Sequence, residues 1–131
     1  ASCRLILTPH PKEFERLCGE KLENFRNDPI TAAKEYANAT GAILLLKGST
    51  TIITDGKTVY LVDRGCGGMA TAGSGDVLSG ILAGICGYVP YDELLLGVAA
   101  GAYIAGLAGE IASREIPEVF AREVLPLLEM R

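Results

Sequence analysis

Hydrophobic positions along this chain change their period several times, and each change marks an element. Arg4-Leu5-Ile6-Leu7-Thr8 is a short apolar run closed by Pro9-His10-Pro11, which predicts a buried strand entering a rigid turn. Pro11 suits the first position of a helix with Phe14, Leu17 and Cys18 at inward spacing and Gly19 as its stop. After a polar stretch, Asp28 as N-cap and Pro29 at the first helical position start a second helix through Ala32, Ala33, Tyr36 and Ala37 to Gly41. Ala42-Ile43-Leu44-Leu45-Leu46 is apolar without alternation, as in a parallel-sheet strand covered by helices on both faces. The order strand, helix, strand fits a βαβ unit.

The next pattern is a hairpin: Thr51–Thr54 and Thr58–Val62 flank Asp55-Gly56-Lys57, with an Asp-Gly pair at the bend. Glycines then crowd Gly65 to Gly75, and the chain switches to a helical period that puts Val77, Leu78, Ile81, Leu82 and Ile85 on one side of a helix from Ser74 to about Tyr88. Pro90 and Asp92 restart the chain into a long helix from Glu93 to about Ser113. On it Gly97, Gly101, Ala105 and Gly109 recur every four positions, and Gly80 and Gly84 form a similar row on the preceding helix. Such rows predict close helix packing. Pro117 predicts a break, and Val119 to Met130 a terminal amphipathic helix. The pattern is that of a single α/β domain.

Composition narrows the class. With 131 residues, 49% of them hydrophobic and 21% charged, the chain supports one packed core. A net charge of −4 without a basic run argues against nucleic acid or an anionic membrane as partner. Leu94 to Gly109 is uncharged but short of a membrane span, so it reads as a buried core helix. Cys3, Cys18, Cys66 and Cys86 form no CxxC pair, and neither terminus carries a signal layout, which predicts free thiols in a reducing cytoplasm.

Candidate chemistry centres on the glycine-rich loop that feeds the helix at Ser74. The first turn of a helix offers unpaired N–H groups and partial positive charge, a natural seat for phosphate. Asp76 in that turn reads either as a helix-start residue or as a base poised to take a proton from a hydroxyl attacking a phosphoryl group. Lys47-Gly48-Ser49-Thr50-Thr51 closes a strand with a cation, a glycine and three hydroxyls. It reads as a phosphate-holding segment or as a solvated turn. His10, at the carboxyl end of a strand, is a ligand-side residue or an ordinary turn histidine. A P-loop is excluded because Thr51 stands where its first glycine belongs, and the Rossmann fingerprint fails at Leu78.

Three stretches in order, Thr8-Pro9-His10-Pro11-Lys12-Glu13-Phe14, Lys47-Gly48-Ser49-Thr50-Thr51 and Gly68-Met69-Ala70-Thr71-Ala72-Gly73-Ser74-Gly75-Asp76-Val77-Leu78-Ser79-Gly80, resemble the ADP/ATP-dependent NAD(P)H-hydrate dehydratases of the ribokinase-like superfamily. The resemblance implies a three-layer ribokinase-like sheet with helices on both faces, present as the C-terminal half of the family's domain. It implies repair of hydrated NADH or NADPH with ADP or ATP and Mg2+, by phosphorylation of the ring hydroxyl and elimination. It assigns Asp76 as base and substrate-binding acid, and Gly73, Ser74 and Gly75 as the phosphoryl anion hole. Lys47, Gly48, Ser49, Thr50, Thr51 and Gly75 fall to the nucleotide; His10, Pro11, Lys12, Glu13 and Phe14, in a segment that runs to Arg16, fall to the substrate. Magnesium ligands are left unassigned. The N-terminal half has no counterpart here, which implies an open sheet edge closed by a second copy or by a complementing half. A small-molecule kinase of the same superfamily and a non-catalytic nucleotide-binding fragment are the alternative readings.

Overall fold

The computed structural model describes residues 4–19, 28–63 and 74–119. Strand β1 (Ile6–Leu7) is followed by helices α1 (Pro11–Cys18) and α2 (Pro29–Thr40), strands β2 (Ile43–Leu46), β3 (Thr51–Thr54) and β4 (Val59–Val62), and helices α3 (Ser74–Cys86) and α4 (Leu94–Val119). The strands form one sheet in the order β1-β2-β3-β4. β1 and β2 are parallel, whereas β2 with β3 and β3 with β4 are antiparallel. The sheet is therefore mixed, a correction to the parallel sheet expected around β2. The cause is the hairpin, whose first strand turns straight back on β2 and takes the place a further crossover strand would need.

All four residues of β2 are buried, and their pleat separates two cores. Ile43 and Leu45 join Ile53, Val62, Leu78, Leu82, Leu94, Val98 and Ala102 under α3 and α4. Leu44 and Leu46 join Ile52, Phe14, Ala32, Ala33 and Ala37 under α1 and α2. Helices thus cover both faces, as the continuous apolar run predicted.

The helix starts follow their caps. Asp28 accepts the N–H of Thr31 at 3.0 Å and also bonds the Thr31 hydroxyl, with Pro29 opening α2. Gly19 and Gly41, each at φ +72°, close α1 and α2 in the left-handed region. The hairpin bend is bound internally and to α2. The buried Thr54 hydroxyl donates to Thr58 O at 2.8 Å and accepts Gly56 N–H at 3.0 Å. Asp55 Oδ1 accepts the N–H groups of Lys57 and Thr58, and Asn38 Nδ2 donates to Gly56 O at 3.1 Å.

Several sequence expectations shift. On α3 the inward stripe is Leu78, Leu82 and Ile85, while Val77 points outward at 58% exposure. A Cβ at Gly97 or Gly101 would press on Ile85, so that row does admit α3 closely; Gly80 and Gly84 face open space and take no part. α3 ends at Cys86 and resolves into a turn, with Val89 N–H bonded to Ile85 O at 3.0 Å. α4 continues through Pro117 to Val119. A proline so near the end removes one backbone donor and leaves only two residues beyond it, so it marks the end of the helix without breaking it earlier. α4 is also only half a core helix: Leu94, Val98 and Ala102 are buried, while Leu96, Tyr103, Ile104 and Ile111 are exposed. Residues 91–111 are long and apolar enough to cross a membrane by length and composition. Here one side of that helix packs on the sheet and on α3. The expected terminal helix to Met130, and Cys3 and Cys66, lie outside the described residues; Cys18 Sγ donates to Glu15 O at 3.8 Å, and Cys86 is an exposed thiol.

Candidate functional site

β1, β2 and β4 point their carboxyl ends the same way, since β1 is parallel to β2 and two antiparallel steps separate β2 from β4. Ligands of open α/β sheets bind off that edge. Thr8 to Phe14 leave β1 there, and Lys47 to Thr50 leave β2 there. The two segments are joined directly, Lys47 N–H donating to Pro9 O at 3.0 Å. Two of the three sequence motifs are thus brought side by side by a backbone bond that extends the β1–β2 ladder.

Within the first segment, His10 is the N-cap of α1, Pro11 its first residue and Glu13 its third. Glu13 N–H donates to His10 Nδ1 at 3.2 Å, and His10 N–H donates to Glu13 Oε1 at 3.0 Å, a reciprocal capping box. The backbone hydrogen bond from His10 holds the Glu13 carboxyl below its ordinary value, against desolvation; the charges of His10, Lys47 and Arg16 add to the lowering. Lys12 is exposed. Phe14 departs from its expected role. It is 1% exposed and meets Tyr36 edge-on at 5.5 Å, so it anchors α1 on α2 and presents no surface to a ligand. Burying such a side chain stabilises the α1 attachment by about 2–3 kcal/mol.

Beside this segment lies an open cleft of about 410 Å³ lined by Leu7, Thr8, Pro9, Glu13, Arg16 and Leu17. Leu17, expected to point inward, forms part of its wall at 46% exposure. In the second segment Gly48, Ser49 and Thr50 are exposed, and Thr51 begins β3 opposite Val62. A Cβ at Gly48 would meet Thr50 O at 3.3 Å, so the bend after Lys47 is tight.

Ser74, Gly75 and Asp76 form the first turn of α3, where backbone N–H groups lack intrahelical partners. Gly73 and the glycine-rich loop before it lie outside the described residues. Among the described residues no cluster of three or more His, Cys, Asp or Glu side chains is placed to hold a metal. Sequence reasoning missed the reciprocity of the His10 cap and the place of Leu17 in the cleft wall. The signal for the first was present, a glutamate three residues after the N-cap.

Comparison with known proteins gives the class first. The chain is similar to a solved ribokinase-like superfamily protein of Enterococcus faecalis, with TM-score 0.67 and 26% identity, covering 83% of this chain and 37% of that one. The fold is that of the ribokinase-like α/β proteins. A family model described as NAD(P)H-hydrate dehydratase matches residues 1–125, and the chain belongs to that family. It is 49% identical over 115 residues to the bifunctional NAD(P)H-hydrate repair enzyme Nnr of Moorella thermoacetica, covering 85% of this chain and 21% of the relative. It is 40% identical over 116 residues to the ADP-dependent (S)-NAD(P)H-hydrate dehydratase of Nitrosopumilus maritimus, covering 88% and 40%. The ADP/ATP-dependent NAD(P)H-hydrate dehydratase of Bacillus subtilis, co-crystallized with ATP/Mg2+, superposes with TM-score 0.73 at 31% identity, covering 86% of this chain and 40% of that one. The chain thus spans between a fifth and two fifths of the length of these relatives.

Proposed function

We propose that this chain carries the nucleotide side and part of the substrate side of an enzyme that dehydrates hydrated NADH and NADPH at the expense of ADP or ATP. The observation that carries the reading is the Lys47 N–H to Pro9 O bond, which sets the substrate-type and nucleotide-type segments next to each other at the carboxyl edge of the sheet. Family membership supports the same reading.

In this proposal Lys47 to Thr51 hold the nucleotide, and His10 to Glu13 line the ring site, with Phe14 fixing their helix from below. The N–H groups of Gly73, Ser74 and Gly75 stabilise the phosphoryl group in transit. Asp76 takes the proton of the ring hydroxyl as its oxygen attacks the terminal phosphorus, and the nucleotide departs one phosphate shorter. The phosphate ester is a better leaving group than hydroxide. It departs with its bonding electrons, a neighbouring ring proton is released, and the double bond re-forms. Magnesium would be held through the nucleotide's phosphates and would neutralise developing phosphate charge.

The chain is read as a single, partial ribokinase-like domain of a cytoplasmic enzyme. Among the described residues β1 pairs on one side only, and its open edge is the place where a second copy or a complementing N-terminal half would add. The test of Asp76 is direct: Asp76→Ala abolishes turnover and leaves nucleotide affinity largely intact. An unchanged rate would remove the base assignment.

A further inference from the structure

The cleft beside α1 lies against the open side of β1. Ile43 N–H donates to Leu5 O and Lys47 N–H to Pro9 O, so alternate residues of β1 face β2. Ile6 and Thr8, between them, turn their N–H and C=O groups to the other edge, which has no partner strand among the described residues. Side chains alternate between the faces: Ile6 packs toward α3 and α4, and Leu7 toward α1 and α2. Leu5 shares the face of Leu7 and is 51% exposed. On that face α1 brings Glu13, Arg16 and Leu17 to the cleft, and Leu7, Pro9 and Leu17 make its wall largely apolar.

An antiparallel strand joined through a tight turn would satisfy the edge but leave the cleft open and Leu5 and Leu17 in water. A parallel strand brings a crossover helix with it, and handedness decides where that helix goes. The connection from β1 to β2 lays α1 and α2 over Leu44 and Leu46. A strand preceding β1 in the same parallel order steps across the sheet in the same direction, so a right-handed crossover puts its helix on the same face, beside α1. The cleft and Leu5 lie there. The relatives are long enough to supply such a unit, since this chain covers 21% of one and 40% of another.

We propose that the cleft is a packing socket and not a ligand pocket. It receives the crossover helix of a strand–helix unit from the N-terminal half of the family's domain. The strand of that unit pairs parallel with β1 at Ile6 and Thr8, and its helix covers Leu5, Leu7 and Leu17. The proposal rests on the partial-domain reading above and not on the chemistry given there.

In the chain alone, the Ile6 and Thr8 amides exchange with deuterium unprotected at every protein concentration. Leu17→Lys, at a half-exposed position, moves its melting temperature by no more than about 1–2 °C. The chain is then set into the 49% identical relative in exchange for the 115 matched residues. In this hybrid both amides become protected, and Leu17→Lys and Leu5→Lys each lower the melting temperature by roughly 5–10 °C. Protection that grows with concentration in the chain alone would place a second copy on the edge and overturn the proposal. Protected amides in the hybrid with both lysine variants neutral would keep the partial domain and overturn the crossover helix. A hybrid that leaves the amides open, or does not fold, would overturn both. None of these readouts involves turnover, so failure of the dehydratase assignment leaves them standing.

Discussion

Gly56→Ala probes how the hairpin is fastened to the rest of the sheet. Gly56 is held at φ +99°, and a Cβ there would collide with Asn38 Oδ1, lie 2.6 Å from Asn38 Cγ and 3.1 Å from Asn38 N. The amide can swing aside; the backbone nitrogen cannot. The left-handed conformation costs an alanine about 1–3 kcal/mol. Displacing Asn38 also forfeits its 3.1 Å bond to Gly56 O, worth about 1 kcal/mol. The expected loss is roughly 2–4 kcal/mol, the sum of these two terms, read as a shift of the urea midpoint at unchanged m-value. The double-mutant cycle separates them. In an Asn38→Ala background the side-chain collision and the bond are already gone, so Gly56→Ala then costs the backbone strain and the close approach to the residue-38 backbone nitrogen, and the pair falls short of additivity by about 1 kcal/mol. A Gly56→Ala protein within about 0.5 kcal/mol of wild type, or strict additivity in the cycle, would refute the latch.

Thr54→Val leaves Gly56 N–H and Thr58 O without their buried hydroxyl partner and destabilises by about 1–3 kcal/mol in equilibrium unfolding. For Asp55, desolvation raises the carboxyl, but the N–H groups of Thr58, Lys57 and Asp55 itself, with the charge of Arg4, outweigh it and leave it below its ordinary value of 3.8. A depressed folded value means that this stabilisation is present above the ordinary value and is lost as pH falls through the folded one. The melting-temperature advantage of wild type over Asp55→Asn should therefore shrink on acidification in that range and hold steady at neutral pH. On the helices, Gly80→Ala meets open space and stabilises by about 0.5–1 kcal/mol. Gly97→Ala, whose Cβ would lie 2.9 Å from Ile85 Cγ2 and 3.3 Å from Val89 Cγ1, destabilises by about 1–2 kcal/mol in thermal unfolding.

The layers were legible because β2 is apolar at every position, and a strand buried on both faces has no polar position to spare. The hairpin was legible from Asp55-Gly56, and the caps of α1 and α2 from Pro11, Asp28 and Pro29. Strand direction was legible for β1–β2 from the strand-helix-strand order and for β3–β4 from the bend, but not between β2 and β3. Nothing in Leu44 or Ile53 says whether a neighbour runs parallel or antiparallel, and only the short connection from Lys47 to Thr50 forces the reversal. The small-residue rows misled on α3 because spacing alone does not give the rotation of a helix. Leu78, Leu82 and Ile85 claim the inner face and leave Gly80 and Gly84 outside. At the candidate site, the first two motifs lie at one sheet edge, and Phe14, read inward from its helical spacing, is buried; only the resemblance grouped it with the substrate residues. Its place three residues past Pro11 turns it under the helix, onto Tyr36.

The central claim is tested most directly by giving the full protein hydrated NADH with ADP or ATP and Mg2+, and following recovery of the reduced nicotinamide absorbance. The account predicts recovery that requires the nucleotide, releases one phosphate per ring restored, and disappears in Asp76→Ala. Recovery without nucleotide, recovery undiminished in Asp76→Ala, or none in the wild-type protein would contradict it.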